Sequence, residues 1–195
     1  MDAIPPLSME SNIQSVSEAW LISGIPGAGK STVSRMLAAT FPRGVHIEGD
    51  RLQEWIAAGA VWPNQDPVTE ANRQIALNRR NQCLLARSYA DAGFVPVIDY
   101  VVVSRSLVAD YLRLLAGLEL RLVVLAPGTE TALQRDRERA EKTVAHFWVH
   151  LEDELNRELG GVRLWIDSRN QTPHETVAEI RARSPEACVT YDSIA

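Results

Sequence analysis

The run Gly24-Ile25-Pro26-Gly27-Ala28-Gly29-Lys30-Ser31 matches G-x-x-x-x-G-K-[ST] at every fixed position. These residue types suit the grip of a phosphate chain. A loop that wraps tightly and turns several backbone N–H groups inward needs glycine at unusual dihedrals. A helix starting near Lys30 offers unsatisfied N–H groups and the positive end of its dipole. Lys30 adds a mobile cation for the outer phosphates, and the Ser31 hydroxyl is the hard oxygen that Mg²⁺ prefers. Gly24, Gly27, Ala28, Gly29, Lys30, Ser31 and Thr32 are therefore the candidate nucleotide contacts. A dinucleotide fingerprint is a rival for the same glycines, and Asp50 lies near its acidic position. The spacing is not G-x-G-x-x-G, however, and Lys30-Ser31 has no role there.

Two carboxylates end apolar runs nearby. Asp50 closes Ile47-Glu48-Gly49-Asp50, where it suits a helix cap, and Asp99 closes Val97-Ile98-Asp99. A carboxylate such as Asp99 can hold a Mg²⁺-bound water, bond a substrate, or merely cap a loop. Arg135, Arg139 and Lys142 recur at helical spacing and share a face, which is either a phosphate contact or a solvated stripe laced with ion pairs. Trp62, Asn64, Gln65, Asp66 and Arg73 mix an apolar wall with hydrogen-bonding groups, as an acceptor pocket requires; Arg51 and Arg105 at strand ends are further candidates. His146, His150 and Glu154 have spacing that could hold zinc, but no H-E-x-x-H is present and Phe147-Trp148 points to a packed helix.

The elements that must position these residues read in a regular alternation. Strands are predicted at Ala19–Ser23, Val45–Glu48, Phe94–Asp99, Leu120–Leu125 and Val162–Ile166. Helices are predicted at 30–40, 50–58, 70–92, 104–116, 129–142 and on to 159, with a last one opened by Thr172-Pro173-His174-Glu175 as a capping box. Pro96 inside the third strand is an objection, since a central strand lacks use for a missing donor. Strands separated by helices imply right-handed crossovers, a parallel sheet and helices on both faces. Ligands in such sheets sit beyond the carboxyl ends of the strands, where the loop at 24–31, Asp50 and Asp99 all fall. Residues 1–17 read as a loose arm, 18–183 as the domain and 184–195 as a tail.

Composition narrows the function classes. The chain has 195 residues, 46% hydrophobic and 23% charged, which fits one soluble α/β domain and excludes collagen-like or wholly disordered readings. No apolar run approaches the roughly 18 residues of a membrane span. The start has no basic cluster before an apolar stretch, so no secretory signal is visible, and Cys83 and Cys188 read as free thiols of a reducing cytoplasm. The net charge of -5 is a poor match for nucleic acid.

The phosphate loop on the first strand, followed about 20 residues later by Gly49-Asp50, resembles the P-loop small-molecule kinases. That group includes gluconate kinase, adenylylsulfate kinase, shikimate kinase, chloramphenicol phosphotransferase and the zeta-toxin sugar-nucleotide kinases. The resemblance spans the element order from about residue 19 to 183. It implies a three-layer fold with a five-stranded parallel sheet in the order 2-3-1-4-5, so that the third strand lies beside the first. It implies ATP and Mg²⁺ as ligands and a small molecule with a hydroxyl as acceptor. By the same resemblance Asp50 faces that hydroxyl, and a lid at about 135–145 brings Arg135 or Arg139 to the transferred phosphoryl group. Asp167-Ser168-Arg169-Asn170 resembles the segment that lies against adenine.

The leading expectation is a kinase moving the γ-phosphoryl group of ATP to a sugar, sugar nucleotide or antibiotic-like alcohol. A toxin that phosphorylates a sugar nucleotide and a non-catalytic ATP-binding module are the alternatives. The absence of an Asn-Lys-x-Asp motif argues against a GTPase switch.

Overall fold

The computed structural model describes residues 17–63, 65–138 and 150–194. Its strands are β1 (Glu18–Ser23), β2 (Gly44–Glu48), β3 (Val95–Asp99), β4 (Glu119–Leu125) and β5 (Leu164–Ile166). All pair in parallel, in the order β2-β3-β1-β4-β5 that the resemblance implied. The α-helices among the described residues are α1 (Lys30–Ala38), α2 (Gly49–Glu54), α3 (Val68–Asp91), α4 (Arg105–Leu114), α5 (Thr129–Arg137), α6 (His150–Leu159) and α7 (Pro173–Ala182). None of the described helices is long and apolar enough to cross a membrane.

Apolar character on both faces puts β1 in the middle. Ala19, Trp20, Leu21 and Ile22 are wholly buried, as a strand covered on two sides must be. Leu122, Val123, Val124 and Leu125 of β4 continue that core, and each such side chain contributes about 1.5–3 kcal/mol by leaving water. Pro96 fits because of its register. Tyr100 donates its N–H to the Ile22 carbonyl, so alternation turns the Pro96 nitrogen toward β1 as well. The β1–β3 pairing begins one residue later, at Trp20↔Val97, so no ladder bond is lost.

The strand order dictates where the helices lie. From β1 to β2 the chain moves one way along the sheet, and from β2 to β3, β3 to β4 and β4 to β5 it moves the other way. Right-handed crossovers then put α1 on one face and α3 and α4 on the opposite face. In agreement, α1 packs with α7, and α3 packs with α4. The connections leaving β1 and β3 therefore diverge to opposite faces, which opens a crevice at the carboxyl ends of these neighbours.

A ladder of buried amides joins α3 to its surroundings. Gln74, Asn78 and Gln82, one turn apart, are all buried. Gln74 donates to the Gly59 carbonyl at 2.8 Å and accepts from the Val61 N–H at 2.8 Å, which pins the 59–61 loop. Asn78 donates to the Gly49 carbonyl at 2.9 Å, Gln82 donates to Asn78 at 2.8 Å, and the Tyr111 hydroxyl of α4 donates to Gln82. Each of these three buried amides so finds a partner.

The stretch expected as a tail lies against β4. Val189 donates its N–H to the Leu120 carbonyl, Cys188 bridges Arg121, and Ala187, Val189 and Ile194 are buried. Both cysteines are free, Cys83 buried and Cys188 half-buried.

Candidate active site

The loop after β1 is shaped by close contact. The Ala28 N–H bonds the Ile25 carbonyl at 3.1 Å and closes a turn. At Gly27, with φ 83°, a Cβ would stand 2.2 Å from the Ala132 carbonyl oxygen of α5, so only a hydrogen fits. Gly29, at φ 91°, is the residue before α1; no side chain caps that end and no acid lies in the first turn. The positive end of α1 is thus left to an incoming anion. The Lys30 Nζ donates to the Gly24 and Ile25 carbonyls at 3.0 and 3.1 Å, folded back over the loop. Ala28 is buried and Thr32 half-buried at the start of α1.

Asp99 ends β3 at the divergence of the β1 and β3 connections and is 3% exposed. Ser31 Oγ donates to Asp99 Oδ1 at 3.4 Å, and His46 Nε2 of β2 contacts Asp99 Oδ2. A hydroxyl and a carboxylate so close form a hard-oxygen pair that could hold Mg²⁺. Glu48 and Asp99 are register partners, so the chain leaves β2 beside them. Here the structure corrects one expectation: α2 begins at Gly49 with Glu48 as its cap residue, and Asp50 sits in the first turn rather than capping it. Gly49 is the reason the turn packs so closely. A Cβ on it would lie 2.4 Å from Tyr100 Cδ2, 2.7 Å from Gln82 Nε2 and 3.1 Å from the Asp99 carbonyl. Asp50 itself is exposed. The Tyr100 phenol is pushed up to about 12, chiefly by burial and then by the charge of Asp50.

Arg135 reaches the loop from α5. Its Nη2 donates to the Ser168 carbonyl at 2.7 Å, and its Nη1 stands 4.0 Å from the point a Gly29 Cβ would occupy. A guanidinium is therefore held against the phosphate loop by the segment after β5. Arg139, His146 and Asn64 lie outside the described residues. Asn170 is exposed, two residues beyond the Ser168 that anchors Arg135.

The other acceptor-side candidates are engaged with neighbours. Arg51 pairs with Glu54 at 2.9 Å and Glu48 at 3.7 Å. Arg73 pairs with Glu70 at 2.8 Å and, with Ile56, Gln74 and Leu77, lines an open groove of about 530 Å³ between α3 and the segment that follows α2. The Trp62 N–H donates to Gln65 at 3.0 Å. Arg105 Nε donates to the Glu158 carbonyl at 2.9 Å, tying α4 to α6. His46, Tyr100 and the Gln74–Asn78–Gln82 ladder were missed from the sequence. A polar residue at every fourth position of α3 was the available signal; nothing local marks His46.

Comparison with known proteins agrees with this geometry. The AAA_33 family model, described as an AAA domain, matches residues 20–156, well over half of the chain. Among curated proteins none matches. Among solved structures, a sugar kinase from Janibacter sp. superposes with TM-score 0.61 at 17% identity, covering 88% of this chain and 96% of that one. The tunicamycin resistance protein of Deinococcus radiodurans gives TM-score 0.61 at 19% identity, covering 89% and 99%. A gluconokinase from Sinorhizobium meliloti gives 0.58 at 18%, covering 87% and 95%. The shared fold is that of the P-loop kinases.

Proposed function

This chain belongs to the AAA_33 family of AAA domains, and from that premise we propose that it is an ATP-dependent phosphotransferase acting on a hydroxyl of a small molecule. One observation carries the reading: Ser31 and Asp99 approach to 3.4 Å at the mouth of the glycine loop, with the Gly49–Asp50 turn packed against the same strand end.

The backbone N–H groups of Gly27, Gly29, Lys30 and Ser31 at the start of α1 hold the phosphates, and Asn170 lies on the adenine side. Lys30, whose Nζ rests on the Gly24 and Ile25 carbonyls, turns its side chain to the outer phosphate. Ser31 and Asp99 would hold Mg²⁺, which would offset the negative charge of the phosphates. Asp50 orients the acceptor hydroxyl and takes its proton as the new P–O bond forms and the bond to the ADP oxygen breaks. Arg135, with Arg139 as the second candidate, stabilises charge on the transferred group and excludes water. Arg51, Trp62, Arg73 and Arg105 bound the acceptor side, where a bond from Asp99 to the acceptor is the alternative to its Mg²⁺ role.

The test is ATP turnover against a panel of sugars, sugar nucleotides and antibiotic-like alcohols. One compound is expected to stimulate turnover. Asp50→Asn is then expected to lower that rate by about 10²–10⁴-fold while nucleotide binding persists. Intact turnover in the variant removes Asp50 from the mechanism. Nucleotide binding with no stimulation by any alcohol would leave a non-catalytic ATP-binding module.

A further inference from the structure

A second groove lies away from the glycine loop, between α3 and α4. It measures about 420 Å³ and is lined by Ala76, Arg79, Arg80, Asp110, Arg113 and Leu114. Three guanidiniums face one carboxylate there, an excess of positive charge in a chain whose net charge is -5. Asp110 divides its two oxygens, one to Arg79 at 2.7 Å and one to Arg113 at 3.1 Å. The Arg79 side chain is only 13% exposed, so its charge cannot be left to bulk water. Arg80 forms no ion pair among the described residues and is exposed at the rim. Arg87 adds a fourth guanidinium about two turns further on, bonded to the Leu114 and Ala116 carbonyls. Burial, the largest cause, pushes the Cys83 thiol up to about 12; Arg79, Arg87 and Arg113 pull it down and Asp110 pushes it up.

Like charges on long side chains diverge unless something holds them together. Asp110 holds two of them, one on each oxygen, and balances only one of the three charges. Guanidinium donors match a phosphoryl group through paired N–H···O bonds, and the unbalanced charge matches a phosphate dianion. We propose that the Arg79–Arg80–Arg113 groove is an anion site for a small phosphate-bearing ligand, separate from the glycine loop. Ala76 and Leu114 give the groove an apolar wall beside the guanidiniums, so the ligand is a phosphorylated small molecule whose body lies along them. The groove rests on α3 and α4, the helices that the Tyr111–Gln82–Asn78 ladder joins to the Gly49 carbonyl. The assignment does not depend on the proposed kinase activity.

The test uses the full chain saturated with Mg²⁺ and a non-hydrolysable ATP analogue. Inorganic phosphate, pyrophosphate and, as a control, citrate are titrated at millimolar concentrations while the arginine Nε–Hε NMR resonances are followed. Saturable shifts of Arg79, Arg80 and Arg113 with phosphate and pyrophosphate are expected. Arg80→Glu, at a position with no ion pair among the described residues, should weaken that binding at least about tenfold, the scale of one charge-assisted contact, with the melting temperature unchanged. Arg113→Glu should do the same, and if it fails to fold Arg80→Glu alone decides. Absence of saturable shifts, affinity unaltered by Arg80→Glu, or binding of citrate without phosphate would each overturn the assignment. Failure of the analogue to bind would count against the kinase reading only, because the arginine resonances report this groove directly.

Discussion

Ser31 and Asp99 are 68 residues apart in the chain and 3.4 Å apart in space. Residues that do no chemistry shape the same strand end. Gly49 is one: its missing side chain lets the first turn of α2 rest on Tyr100, Gln82 and the Asp99 carbonyl. Gly49→Ala forces a methyl to within 2.4 Å of Tyr100 and 2.7 Å of Gln82. Overpacking of this kind destabilises by about 1–3 kcal/mol. The variant should unfold at lower urea, and the displaced Asp50 should lower acceptor-stimulated turnover more than nucleotide affinity. Unchanged urea midpoint and turnover would show that the turn has room to spare.

At the scale of elements, the helices use two devices. On α3 polar side chains face inward and satisfy neighbouring backbone, as Asn78 does for the Gly49 carbonyl. On α7 the stabilisation is local. Thr172 accepts from the Glu175 N–H, and Glu175 in turn accepts from the Thr172 N–H at 2.8 Å. The Thr172 backbone N–H, and then its hydroxyl, hold the Glu175 carboxyl below the usual carboxylate range. Thr172→Ala removes one partner of this box and should cost about 1 kcal/mol. Chemical denaturation reads it as a lower midpoint with the same slope, whereas a fall below about 0.3 kcal/mol would mean that packing against α1 carries α7 alone. The box was legible because capping is a matter of four consecutive residues. The ladder on α3 was not, because an amide in a helix reads as solvated until its partners are known.

At the scale of the whole molecule, burial sets an alkaline limit. Burial lifts the Cys83 thiol from 9.0 and the Tyr100 phenol from 10.0, both to about 12. Between those values the unfolded chain has released protons that the folded chain still holds. Stability is therefore full below about pH 9 and falls as the pH rises from about 9 to about 12. Urea midpoints measured across that range should decline. Cys83→Ala should flatten the first part of the decline, and an identical slope in the variant would remove the thiol as a source. The same burial should keep Cys83 unreactive to thiol reagents at neutral pH until the chain unfolds.

The sequence by itself determined the loop at 24–31, the parallel alternation of strands and helices, and the strand-end positions of Asp50 and Asp99. These follow from short-range constraints: glycine dihedrals, apolar period and caps act within a few residues. The tertiary structure alone decided that His46 meets Asp99, that Arg135 leans on Gly29 through the Ser168 carbonyl, and that Arg105 turns to α6. Such contacts join residues from separate elements. Their geometry is set by sheet order and helix packing, which no local pattern of residue types encodes.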